Sequence, residues 1–203
     1  VGSGSLPERA APAAPGFDPA SFYPELVRMA VARGIPSIID TSGPALLAAA
    51  DAGATVLKPN REELIAATGI GDPILAARSL IERGASLVLL SLGVDGMVAV
   101  SSSDPSGYLS ARLPEPLIGN PTGAGDAAVA AVASCLAGPT SGDTIGIEAI
   151  LRRATAWSAA AVLMPLAGEI SPLHAALEAQ LIIEHHGANP SPATTNPPTE
   201  KRP

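Results

Sequence analysis

Aromatic side chains make up only 2% of the 203 residues, and there is a single cysteine, Cys135. A core without aromatic bulk is built from Ala, Leu, Val and Ile, which suit layered α/β or helical packing. One cysteine excludes an internal disulfide framework, so a reducing, cytoplasmic setting is the expectation. Cys135 lies in an Ala/Val-rich run, the surroundings of a buried, inert thiol. Positive charge is scarce too: 12 Lys and Arg stand against 19 Asp and Glu, a net charge of −7. A general nucleic-acid face needs basic residues to displace counterions and is excluded. A small anion held by backbone N–H groups is not. No apolar run reaches the roughly 20 residues of a membrane-spanning helix, and no signal peptide is legible, so no membrane partner is expected. The chain begins at Val1, in what reads as the end of a strand, and an N-terminal part is expected to be missing.

What is present alternates between two periods. Residues 8–20 are rich in Ala and Pro and read as a loop. Phe22, Leu26, Met29 and Ala30 recur at helical spacing and predict a helix over 21–33, stopped by Gly34. Short apolar strands are expected at 35–40 and 54–57, with helices at 44–51 and 61–68 between and after them. Asp72 is placed to cap a helix that Pro73 opens and Gly84 ends. The near-continuous apolar run 87–92 reads as a strand covered on both faces. Gly93 to Gly96 make a tight turn into a returning strand at 97–101, and a further strand is expected at 108–113. Helices follow at 124–136, 143–163 and 172–185. Strand–helix alternation over 35–101 implies a parallel sheet with crossover helices, covered by the helical C-terminal third. Residues 187–203 are Pro, Thr, Asn and Ser and predict a disordered tail.

In open α/β sheets ligands sit at the carboxyl ends of the strands. The unusual loops fall there, and the sharpest is Asn120-Pro121-Thr122-Gly123-Ala124-Gly125-Asp126. Its glycines let a ligand approach the main chain. The helix that follows leaves N–H groups unpaired at its positive end, which together make a cradle for phosphate or an oxyanion. Asp126 within it is placed to take a proton from an attacking hydroxyl. Taken alone, the same residues also read as a plain helix start with a first-turn acid. The loop matches neither the Walker pattern nor the dinucleotide fingerprint.

With its neighbours, this segment resembles the C-terminal signature of the PfkB (ribokinase-like) carbohydrate kinases, whose core is Thr-Gly-Ala-Gly-Asp. Lys58-Pro59-Asn60-Arg61-Glu62-Glu63 resembles the family's Asn-x-x-Glu element, and Ser91-Leu92-Gly93-Val94-Asp95-Gly96 its nucleotide-contacting strand and turn. Gly2-Ser3-Gly4-Ser5-Leu6-Pro7 and Asp40-Thr41-Ser42-Gly43 are similar to the phosphofructokinase and tagatose-phosphate kinase branch. All five elements stand in family order, over residues 1 to about 180.

The resemblance implies an α/β fold: a ribokinase-like three-layer sandwich with a mostly parallel central sheet, its N-terminal strands and β-lid missing. Residues 1–186 would form one nucleotide-binding and catalytic portion. ATP and Mg²⁺ are implied, with a sugar phosphate as acceptor and a homodimer in the full-length form. Asp126 would be the base, and the N–H groups of Gly123, Ala124 and Gly125 the anion hole. Asn60 and Glu63 would act on Mg²⁺ through water, and Lys58 would offset phosphate charge. Ser91 and Gly93 would touch the nucleotide, Gly96 would hold the turn, and Asp40 would bind substrate.

Bland readings stand beside these. Glu62 and Glu63 suit any first helical turn, Lys58 suits solvent, and Asp40 can bond local N–H groups. His174, His185 and His186 read as surface residues, and Trp157 as packing. The family's Gly-Gly-x-x-x-Asn sugar element is not in this sequence, so weak or absent sugar-kinase activity is expected of this chain alone. A non-catalytic nucleotide-binding or interaction remnant lacking the sugar-binding half is the alternative, and a kinase of a nucleoside or another small alcohol a third reading.

Overall fold

Local punctuation sets the first half of the chain. Pro44 opens helix α2 (Pro44–Asp51) and Pro73 opens α4 (Pro73–Arg83), at positions where a missing N–H costs nothing. Asp72 Oδ1 caps α4 by accepting the N–H groups of Ile74 and Leu75 at 2.9 and 2.8 Å. Gly69, with φ of 72°, ends α3 (Arg61–Thr68) in the left-handed conformation that a residue with a side chain resists. The computed structural model describes residues 19–137 and 146–187. The segment Gly2–Pro7, most of the loop expected over 8–20, the Asp143 start of a helix and nearly all of the expected tail lie outside them. The first helix, α1 (Pro19–Val31), begins two residues earlier than the spacing predicts.

Among the described residues six strands form one sheet in the order of the chain: β1 (Ile38–Ile39), β2 (Val56–Leu57), β3 (Leu87–Ser91), β4 (Met97–Ser101), β5 (Asp104–Arg112) and β6 (Ile182–His186). β1, β2 and β3 run parallel, joined by crossovers through α2 and through α3 and α4. From β3 onward every pairing is antiparallel. The sheet is therefore mixed, and its parallel part is the portion that carries the loops of interest.

The twofold period of the strands divides the core. Val88, Leu90, Val98 and Val100 face one way and join Val27, Leu46, Ala49, Leu64, Ala77 and Leu80 of α1 to α4. Leu87, Leu89, Met97 and Ala99 face the other and meet α5 (Ala124–Leu136) and α6 (Ile147–Val162). The result is a three-layer α/β sandwich. Its small side chains, such as Ala128, Ala131 and Ala154, let helices lie close to each other and to the sheet. Cys135 is buried there as a free thiol.

One expectation fails. Residues 172–185 do not form a single helix: α7 spans only His174–Gln180, and Ile182–His186 form β6, paired antiparallel with Tyr108–Arg112 of β5. Ile182 and Ile183 are β-branched and favour a strand once a partner is present. His185 and His186 thus project from a strand; His186 stacks on Tyr108 with ring centroids 4.3 Å apart. Among the described residues, no single helix is long and apolar enough to cross a membrane.

Candidate active site

Three parallel strands deliver their carboxyl ends to one edge of the sheet. β1 leads into Asp40, β2 into Lys58 and Asn60, and β3 ends at Ser91 and leads into Gly93. Asn60 and Ser91 lie beside each other as an isolated parallel bridge. The Ser91 N–H donates to Pro59 O at 3.1 Å, and its hydroxyl reaches the same oxygen at 3.4 Å.

Asn60 begins α3 as its N-cap in a reciprocal box. Its Oδ1 accepts the Glu63 N–H at 2.8 Å, while the Asn60 N–H donates to Glu63 Oε2 at 2.9 Å. The Asn-x-x-Glu spacing is thereby accounted for locally. It fixes both side chains at the strand end and leaves Glu63 Oε1 without a partner among the described residues.

Lys58 is not solvated. It is 4% exposed, and its Nζ pairs with Asp40 Oδ2 at 3.1 Å. The pair stands directly against the start of α5: a Cβ on Gly125 would lie 3.3 Å from Lys58 Nζ and 3.9 Å from Asp40 Oδ2. The missing side chain of Gly125 is what lets this ion pair, with its buried lysine, approach the helix terminus.

That terminus is open. Gly123 is the N-cap, with φ of 85°, and no side chain caps the helix. Ala127 N–H donates to Gly123 O. The Ala124 N–H, expected in the anion hole, is already engaged by Pro121 O at 3.1 Å. The N–H groups of Gly123, Gly125 and Asp126 have no partner among the described residues. Asp126 is exposed in the first turn of α5.

Asn120, which the sequence alone left without a role, holds the loop. Its Oδ1 accepts the Thr122 N–H at 3.0 Å, its Nδ2 donates to Pro165 O at 3.1 Å, and its N–H donates to Val162 O at 2.9 Å. Gly119 before it passes so close to Val162 O that no side chain fits, and Gly123 packs on Ala167 and Gly168. The segment after α6 therefore backs the loop. Val162 and Pro165 gave no sequence signal of this, because the contacts are long-range.

The turn after β3 is a 3₁₀ turn over Gly93–Asp95. Gly96 has φ of 88°, and a Cβ there would run into Ala111 O, so the position demands glycine. Arg61 Nη2 and Asp95 Oδ2, 3.7 Å apart, tie α3 to this turn.

The donor set fits an ion carried by a phosphate ligand, not a resident one. Mg²⁺ takes oxygen ligands and keeps several waters. Glu63 Oε1 is available for such a water, while among the described residues no three His, Cys, Asp or Glu side chains cluster as a metal site. A cavity of about 530 Å³, lined by Ser101, Tyr108, Glu148 and His185 among others, lies beside the amino end of β3 and is no part of this site.

Residues 13–173 match the model of the pfkB family carbohydrate kinases. A 1-phosphofructokinase of Xanthomonas campestris pv. campestris is 38% identical over 149 residues, covering 69% of this chain and 45% of that protein. Phosphofructokinase-2 from Escherichia coli, solved in complex with potassium, superposes with a TM-score of 0.69 at 28% identity, over 81% of this chain and 53% of its own. A ribokinase of Arabidopsis thaliana, solved with ribose and ATP, gives 0.60 at 25% identity, over 73% and 48%. This chain spans about half the length of the relatives it matches.

Proposed function

The chain belongs to the pfkB family of carbohydrate kinases, and we propose that it transfers the γ-phosphoryl group of ATP to a hydroxyl of a ketohexose phosphate such as fructose 1-phosphate, fructose 6-phosphate or tagatose 6-phosphate. One observation carries this reading. An uncapped helix start, with N–H groups at Gly123 and Gly125 that have no partner among the described residues and a carboxylate at Asp126, stands over a buried lysine at the carboxyl edge of the parallel part of the sheet.

Phosphoryl transfer asks a protein chiefly for positioning and charge stabilisation. Asp126 accepts the proton of the acceptor hydroxyl as its oxygen bonds to phosphorus and ADP departs with the old bond. The free N–H groups at the start of α5, with the helix dipole, stabilise the charge on the transferring group. Lys58 adds a cation beneath them. Ser91 and Gly93 border the nucleotide, and Gly96 fixes the turn that carries it. Asn60 and Glu63 would hold the water shell of a Mg²⁺ ion at the end of β2, where the ion would neutralise phosphate charge.

Calorimetric titration of Mg-ATP into the purified chain, beside Asp126→Asn, tests this. Saturable binding is expected in both proteins. Transfer to the ketohexose phosphates, measured wherever the wild-type chain supports it, is expected to fall by about 10²–10⁴ in the variant, the range for loss of a general base. A folded chain that binds no nucleotide at millimolar ATP would refute the proposal and leave the motifs as remnants in a non-catalytic module.

A further inference from the structure

We propose that Asp40 is the displaceable counter-ion of Lys58, holding the ammonium beneath the start of α5 until a phosphate-bearing ligand takes its place. This rests on the reading above and deepens it. The pair is the only one among the described ion pairs with a buried member, and its partners differ in access: the Lys58 side chain is 5% exposed and that of Asp40 is 35%. When they separate, the carboxylate is the group that water can reach. The lysine is enclosed and stays.

The ammonium also faces the loop. It stands 3.3 Å from the point a Cβ would occupy on Gly125, with the carboxylate only slightly further, at 3.9 Å. A polyphosphate seated on the free N–H groups there meets both charges, attracted by one and repelled by the other. Asp40 turning toward solvent removes the repulsion and exchanges one anion for another at Lys58. Wherever no ligand phosphate meets Lys58 the carboxylate is required, because a buried charge without a partner is costly.

Among the described residues Lys58 has no ion-pair partner but Asp40. Glu63 Oε2 is held by the Asn60 N–H, and Arg61 is turned to Asp95. Asp40 is therefore a positioning residue that sets anion affinity, distinct from the base.

The test is calorimetric titration of inorganic tripolyphosphate, in EDTA so that no metal bridges to the carboxylate, into wild type, Asp40→Asn, Lys58→Met and the double variant. Asp40→Asn is expected to melt at lower temperature yet bind tripolyphosphate about three- to tenfold more tightly, since the ligand no longer has to displace a carboxylate from Lys58. In the Lys58→Met background the same change is expected to give no gain, which is the coupling a double-mutant cycle reads. Equal or weaker binding by folded Asp40→Asn overturns the proposal, and so does an equal gain with and without Lys58. Gly125→Ala offers a second variant should Asp40→Asn not fold. Filling the space before Nζ is expected to cut affinity about tenfold with the ion pair intact, and unchanged binding would again overturn the proposal. Absence of Mg-ATP binding by wild type would instead bring down the kinase reading itself.

Discussion

Replacing Asn60 with alanine removes one half of the capping box that starts α3. The Oδ1 that accepts the Glu63 N–H at 2.8 Å is lost, while the reverse bond from the Asn60 N–H to Glu63 Oε2 survives, because its donor is main chain. Exchange of an asparagine N-cap for alanine costs about 1 kcal/mol. In a chain of this length that lowers the melting temperature by about 2–4 °C. Serine at the same position keeps an oxygen at the cap, so Asn60→Ser is expected to melt close to wild type. The two substitutions then separate stability from ligand binding. If the carboxamide also borders Mg-ATP, both variants bind it more weakly, and only the alanine variant melts early. Far-UV circular dichroism gives the melting temperatures, and isothermal calorimetry the affinities. Wild-type affinity for Mg-ATP in Asn60→Ser would refute a ligand role and leave Asn60 a cap alone. An unchanged melting temperature in Asn60→Ala would refute the energetic weight given to the box.

Two further substitutions probe the frame and its charge. Gly96→Ala puts a side chain at a φ of 88° and against Ala111 O; a loss of about 2–5 kcal/mol is expected from strain and overlap together, read as a lower urea midpoint, and an unchanged midpoint would contradict the turn geometry. Glu148 is held below its ordinary value of 4.5, first by the bond that Arg152 Nε donates to its Oε1 at 2.8 Å, against the opposing loss of hydration, and further by the charges of Arg152 and His185. A carboxyl depressed in the folded state contributes stability that is present above its unfolded value and lost as pH falls through the folded one. Wild type should therefore lose stability more steeply than Glu148→Gln below pH 4.5. Parallel curves there, in urea melts across acid pH, would show that the contact with Arg152 contributes nothing.

Much of the first half of the fold was legible because its signals act over three or four residues. Pro44, Asp72 with Pro73, and Gly69 set the bounds of α2, α3 and α4 by main-chain geometry alone. The continuous burial of Leu87–Leu90 and Met97–Ser101 follows from apolar runs that only a doubly covered strand explains. The family resemblance was legible for the same reason: its elements are contiguous. β6 was not legible. Leu177 to His186 fits a helical period as well as a strand, and the partner that decides, Tyr108–Arg112, is far away in the chain.

The same division runs through the site. The sequence by itself determined which segments are candidates for the chemistry: a glycine pair ahead of Asp126, and asparagine and glutamate at capping distance after a strand. Tertiary structure alone decided what those residues face. It set Lys58 against Asp40 from the end of the neighbouring strand, brought both against Gly125, and closed the Asn120 loop on Val162 and Pro165. It also withdrew the Ala124 N–H to Pro121 O. Caps and turns are local and so can be read along the chain. A buried charge, a close approach and an open helix end are contacts between distant segments, and they exist only once sheet and helices have packed.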